Sequence, residues 1–340
     1  MRILLTNSDF TYPGGTQSWV RSMHDALAAN HKVHVHSHRP GLPKHFTPFD
    51  PSLVYDLALI NHGACLVDLR GARIDTRIFT SHGIIPAEEW PRLGADAYVA
   101  VSELVASHMP WRSTIIRNPI DTQRFDDHAP VHDVVRRAVF LSNRQGRARP
   151  IIEEACRLAG VELTIIGRET AVSDPETAIN QADLVFGIGR SALEGLACGR
   201  RVIAFDHLGC KGLVTRPNID WMRRDSFAGY VDSWWPDPEE LARMIRTAEP
   251  LSLRDLIVRD HSPEAVADAF LQLADQIPRM RRLRARAVRR GPRVLSSSRI
   301  PALLADLRHG RLDRVLHEVT GPPRAPYSPG LEPSPQPRSG

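Results

Sequence analysis

Apolar residues along the chain fall into short continuous runs separated by stretches of helical periodicity. Residues 2–6 (Arg-Ile-Leu-Leu-Thr) form the first run, followed by a polar loop and Gly14-Gly15. Behind the glycines, Trp19, Val20, Met23, Leu27 and Ala28 recur at three-to-four spacing, which predicts an amphipathic helix ending at Asn30. Val33 and Val35 then alternate with His34, His36 and His38, as in a strand. Strand, glycine turn, helix, strand is the opening of a doubly wound α/β domain. Further apolar runs at Asp56–Ile60, Arg77–Thr80, Ala97–Val101 and Thr114–Ile116 end in polar or small residues, as strand tips facing a cleft do.

The rhythm breaks near Asp126–His132 and then restarts. Ala138–Leu141 reads as a strand, Pro150–Leu158 as a helix and Glu162–Ile166 as a strand. Asp183–Gly187, Ser191–Cys198 and Arg201–Phe205 repeat strand, helix and strand, and helices follow near Pro238–Thr247 and Pro263–Gln276. The pattern predicts two Rossmann-like parallel-sheet domains, at 1–130 and 131–276, with a ligand held between them at the carboxyl ends of the strands. A basic, partly helical extension over 277–320 and a Pro-, Ser- and Gly-rich disordered tail over 321–340 complete the expected organisation.

Composition narrows the class. The 340 residues are 42% hydrophobic and 24% charged, ordinary for a folded chain of about two domains. No apolar run reaches the roughly 18 residues of a membrane span, and the start turns polar too early for a secretory signal. Cys65, Cys156, Cys198 and Cys210 show no metal spacing and read as reduced, buried thiols of a cytoplasmic protein. The net charge of +5 is local: Arg279, Arg281, Arg282, Arg284, Arg286, Arg289, Arg290 and Arg293 carry it, and the rest of the chain is slightly acidic. Lysine occurs only at Lys32, Lys44 and Lys211, so almost every cation is arginine, a good fork for phosphates, although a GC-rich genome gives the same bias.

The sharpest chemistry lies in Gly187-Ile188-Gly189-Arg190-Ser191-Ala192-Leu193-Glu194, between two apolar strands. A helix that starts behind glycines offers free backbone N–H groups to an anion. Glu194, one turn in, can accept hydrogen bonds from vicinal hydroxyls, as carboxylates do for ribose. The plain reading is a glycine turn beside a surface glutamate. This stretch resembles the nucleotide-sugar site of the group 1 (family 4) glycosyltransferases, which have the GT-B fold. Four further segments match that family in order. They are Gly14-Gly15 with the helix behind it, Tyr98–Glu103, Arg117–Phe125, and Val231-Asp232 with Asp237–Ala242. Residues 1–276 are covered.

The resemblance implies a retaining transfer from a nucleotide-diphosphate sugar, a co-substrate rather than a resident cofactor, to a glycan, lipid or small-molecule acceptor. It implies donor contacts from Gly14, Gly15, Gly187, Gly189, Ser191 and Glu194, and chemistry at His82, Arg144 and Arg149, without a metal. Arg144 matches the first of two family cations; no lysine follows, so Arg149, or Arg147 after it, stands for the second. The alternative is a solvated basic loop. One departure stands out: the first of the family's two glutamates falls at Phe186.

His82 sits at a strand tip, in the place of the family's histidine near the reacting sugar; for His62, structural and functional readings balance. His34, His36 and His38 invite a metal, yet no carboxylate or cysteine partner lies near them in sequence. The arginine cluster fits an anionic membrane surface or a solvated helix equally; the first reading would set this cytoplasmic protein against the inner membrane face, and the second would not. Nucleic acid ranks behind both, because nothing aromatic interleaves the arginines. The rival functions are a GT-B protein that binds a nucleotide sugar or glycan without turnover, and a nucleotide-sugar epimerase.

Overall fold

A computed structural model describes residues 1–11, 14–84, 89–170 and 172–277. The arginine cluster and the tail lie outside the described residues. The first sheet comprises β1 (Arg2–Asn7), β2 (Lys32–Ser37), β3 (Val54–Asn61), β4 (Arg73–Ser81), β5 (Ala97–Ala100) and β6 (Thr114–Ile115). All six pair in parallel, in the order β2-β1-β3-β4-β5-β6. Central strands such as β1 and β3 are buried on both faces, which is why their sequences run apolar without alternation. Helix α1 (Gly15–Ala28) buries Trp19, Val20, Met23 and Leu27, the stripe expected from their spacing.

The second sheet comprises β7 (Arg137–Leu141), β8 (Glu162–Ile166), β9 (Leu184–Gly187), β10 (Arg201–Asp206) and β11 (Gly209–Leu213), in the order β11-β10-β9-β7-β8. Four strands are parallel; β11 returns antiparallel along β10 and has no counterpart in the sequence reading. Its composition, Gly-Cys-Lys-Gly-Leu, carries no strand signal, and pairing with an exposed edge creates it. Helix α4 (Ala148–Ala159) covers one face and stops at Gly160, whose φ of 70° is the left-handed helix end that glycine adopts without cost. Helix α6 (Arg190–Ala197) runs between β9 and β10.

Each sheet is packed on both faces. Helix α10 (Pro263–Gln276) follows the second domain in sequence but puts Val266, Ala267, Phe270 and Ala274 into the core of the first, against Trp19, Ile3 and Leu5. The division at 131–276 therefore does not hold in space for this helix. The domains also meet near their strand tips. Leu104 N donates to Arg224 O at 2.8 Å, Arg117 Nη1 to Arg223 O at 3.2 Å, and Ile120 N to His261 O at 2.8 Å. Among the described residues no helix is long and apolar enough to cross a membrane. All four cysteines are buried and free, and burial pushes each thiol up to about 12.

Candidate functional site

Strand order locates the site before any side chain does. In an open parallel sheet the crevice opens where successive connections leave in opposite directions. That point lies between β1 and β3 in the first sheet and between β7 and β9 in the second. The second crevice is bounded by Ser142–Arg144 after β7 and by Gly187–Arg190 after β9. Gly167, after β8, packs so close that a Cβ there would sit 2.3 Å from Ser142 O.

The start of α6 is shaped by its glycines. Gly189 has φ 55° and ψ −121°, a conformation that L side chains rarely adopt, and it caps the helix. A Cβ on Gly187 would meet Ser191 Cβ at 2.7 Å. The turn places the start of α6 directly after the β9 tip, with Ser191 N donating to Ile188 O at 3.1 Å and Leu193 N to Gly189 O at 3.2 Å. Glu194, one turn on, is largely buried, and burial raises its carboxyl above the ordinary range, with Arg190 and then Arg124 opposing. Arg190 Nη2 lies 3.3 Å from Glu194 Oε1, and Arg124 is anchored 2.8 Å from Glu176.

The two sequence-expected cations are placed differently. Arg144 is exposed at the β7 tip; its N–H donates to Ser142 Oγ at 2.9 Å, and that hydroxyl is held 2.8 Å from Asp206. Arg149 runs along α4 instead, with Nε 2.8 Å from Glu153 Oε1 and Nη1 3.1 Å from Gln145 Oε1. Arg147 stacks over Trp235 at 4.5 Å. Phe186 is fully buried in the core that holds Phe140, Ile203 and Phe205, so the position of the missing glutamate faces no cleft.

On the opposing side the strand tips of the first domain gather polar groups. His82 Nε2 lies 3.0 Å from Asn61 Oδ1, Nδ1 lies 3.2 Å from Asn118 Oδ1, and Trp19 meets the ring edge-on at 5.5 Å. Burial, the leading influence, holds the imidazole below its ordinary range, so one ring nitrogen donates and the other accepts near neutral pH. Asn61 Nδ2 is buried without a partner; half a turn of that amide lets it donate to Nε2 while Nδ1–H donates to Asn118. Both nitrogens are then occupied, and His82 is a fixed polar group rather than a free base. Beneath it, Glu89 Oε2 accepts from His82 N at 2.8 Å, and Oε1 lies 3.5 Å from His62 Nε2. His62 Nδ1 in turn accepts from Ser8 N at 3.2 Å.

Arg190 joins the two halves. Its Nη1 donates to Pro119 O at 3.1 Å, and its Cδ would lie 3.7 Å from a Cβ on Gly15, so the first domain's glycine loop gives it room. Gly14 caps α1 at extended backbone angles. Contacts through Arg190, Pro119 and Asn118 thus link Gly15, His82 and Glu194, with the Gly187–Ser191 turn just ahead of Glu194, Arg144 exposed at the β7 tip and Arg149 turned along its helix. Arg190, Asn61, Asn118 and Glu89 complete the site and were not singled out by sequence. Arg190 and Asn118 stood inside recognised segments, whereas Glu89 lies in a loop without pattern. The strand histidines differ from expectation: Asp68, from the helix after β3, lies 2.9 Å from His36 Nε2 and 2.8 Å from His38 Nδ1. Among the described residues no group of three or more His, Cys, Asp or Glu side chains is arranged to hold a metal ion.

No protein-family model matches the chain, and no curated protein matches it. Solved structures do. AviGT4, a glycosyltransferase involved in avilamycin A biosynthesis, is 16% identical with a TM-score of 0.51, over 81% of this chain and 97% of its own. An alpha-glucosyltransferase solved with UDP and a 13-mer DNA containing a central A:G mismatch is 10% identical with a TM-score of 0.52, over 81% of this chain and 100% of its own. At these identities the likeness concerns the fold: two Rossmann-like domains facing a cleft, the GT-B architecture.

Proposed function

We propose that this protein is a retaining glycosyltransferase similar to group 1 (family 4), moving a hexose-type unit from a nucleotide-diphosphate sugar to an acceptor hydroxyl. The observation that carries the reading is the Gly187–Gly189 turn, which opens α6 onto the crevice with Glu194 one turn behind, opposite His82. The ribose hydroxyls donate to Glu194, displacing Arg190 from part of its carboxylate. The N–H groups at the start of α6, with Arg190 and Arg144, receive the diphosphate. As the sugar–phosphate bond breaks, negative charge grows on the diphosphate, and donors fixed beforehand stabilise that charge more in the transition state than in the ground state. His82, held by two asparagines, bounds the sugar and acceptor side.

The experiment is a thermal-shift screen against nucleotide-diphosphate sugars, led by UDP-sugars because the alpha-glucosyltransferase above was solved with UDP. A ligand at 100 times its dissociation constant adds about 2.7 kcal/mol of stability. Glu194→Ala is expected to weaken the best ligand by about 1–3 kcal/mol, and superimposable titrations of parent and variant would refute the assignment. The burial of Phe186 favours a second reading, binding without turnover, since the sugar-contacting carboxylate implied by the family pattern is missing. Release of nucleoside diphosphate by the purified protein separates the two.

A further inference from the structure

His62 holds a backbone conformation that its side chain makes expensive. Its φ of 71° and ψ of 140° lie close to the region reserved for glycine, whereas the next residue, Gly63, has no positive φ. Gly63 serves space instead: a Cβ there would meet Arg92 Nε at 2.5 Å. The chain therefore places a histidine where glycine geometry is required, at the carboxyl end of a central strand. A strained non-glycine residue persists only where its surroundings over-determine it.

Those surroundings are on view. Ser8 N donates to His62 Nδ1, which leaves the ring proton on Nε2, 3.5 Å from Glu89 Oε1. His62 is 6% exposed and Glu89 7%, so neither presents its polar atoms to solvent. The other oxygen of Glu89 takes the backbone N–H of His82. Ser8, His62 and His82 follow three neighbouring strands, β1, β3 and β4, so one carboxylate and one imidazole tie three strand tips together. From His82 the contacts continue through Asn118 and Pro119 O to Arg190 and Glu194.

We propose that His62 is a positioning residue: its strained backbone is retained because the His62–Glu89 pair fixes His82 in the cleft. This rests on the cleft being the reaction site. A side chain that served only to hold the fold would be selected at lower strain, so removing it should cost more activity than the change in stability explains.

The test compares His62→Gly, His62→Ala and Glu89→Gln with the parent. Glycine removes both ring and strain, and is expected to melt about 2–4 °C above the alanine variant, since both lose the contacts of the ring. Alanine loses the ring but keeps a Cβ in the same conformation, and is expected to melt below the parent. His62→Gly and Glu89→Gln should each lower turnover about tenfold while leaving nucleotide affinity within about twofold, and the double variant should be no worse than either, as for groups acting as one unit. The His82 ring proton signals should move in both single variants. A His62→Gly protein that melts no higher than His62→Ala, or whose His82 signals and turnover match the parent, would overturn the proposal. Should the parent bind and process no nucleotide-diphosphate sugar, the functional reading fails by itself, and the melting order with the His82 signals still decides the role of His62.

Discussion

At the scale of single residues, the domain contact is built on histidines kept neutral by burial. His261 Nδ1 lies 2.9 Å from Asn118 O, while Nε2 is buried without a partner, so a second proton there meets no acceptor. Burial, above all, brings the imidazole down to about 4, with Arg223 and Arg117 adding to the effect and Asp260 opposing it. The folded value lies below the unfolded value of 6.5, so the unfolded chain takes up the proton first. Stability is therefore full above pH 6.5 and is lost as pH falls toward 4, by up to about 3 kcal/mol from this group. His82 works in the same direction, and Glu194, whose carboxyl is raised, in the opposite one. Urea midpoints at pH 7.5 and 5.0 should show a clear drop for the parent and a smaller drop for His261→Asn, which keeps a donor toward Asn118 O. Equal drops would contradict this account. The positions of His82, at a strand end, and Glu194, near a helix start, were legible in the sequence because each has its own motif. His261 and Glu89 were not, since their roles come from burial and from contacts across the chain.

At the scale of elements, β1, α1 and α10 were readable nearly to their ends, because an unbroken apolar run or a three-to-four stripe is dictated by burial alone. Strand β11 depends on pairing with β10, and the docking of α10 on the first domain depends on which core has room for Phe270; neither is a property of local sequence. The start of α6 combines both kinds of information, for its glycines are visible in the sequence and their geometry only in the fold. Gly189→Ala tests that geometry. Nothing lies closer than 3.9 Å to a Cβ there, so the cost is conformational, about 1–3 kcal/mol, and should appear as a lower urea midpoint with the fold retained. Gly187→Ala, in contrast, must move Ser191 and should reduce nucleotide binding more than stability alone explains. An unchanged midpoint for Gly189→Ala would mean that the turn is not needed in this form.

At the scale of the whole molecule, two sheets with opposed crevices, joined by α10 and bridged by Arg190, form the cleft that the proposed function assigns to a nucleotide-diphosphate sugar. The architecture was legible from the repeated strand–helix rhythm; the pairing of the two walls through Arg190, Pro119 and Asn118 was not, because it unites residues from both domains. The most direct measurement is transfer itself: release of nucleoside diphosphate from the best-stabilising nucleotide-diphosphate sugar, for the parent and for Arg144→Ala and Arg144→Lys, with and without a chelator. With amides and arginines bearing the leaving-group charge, turnover should persist in the chelator. It should fall about a hundredfold in Arg144→Ala, equivalent to about 2.7 kcal/mol, and recover only in part in Arg144→Lys, whose point charge cannot act as a fork. Loss of turnover with the chelator, or an Arg144→Ala protein working at the parent rate, would contradict the account.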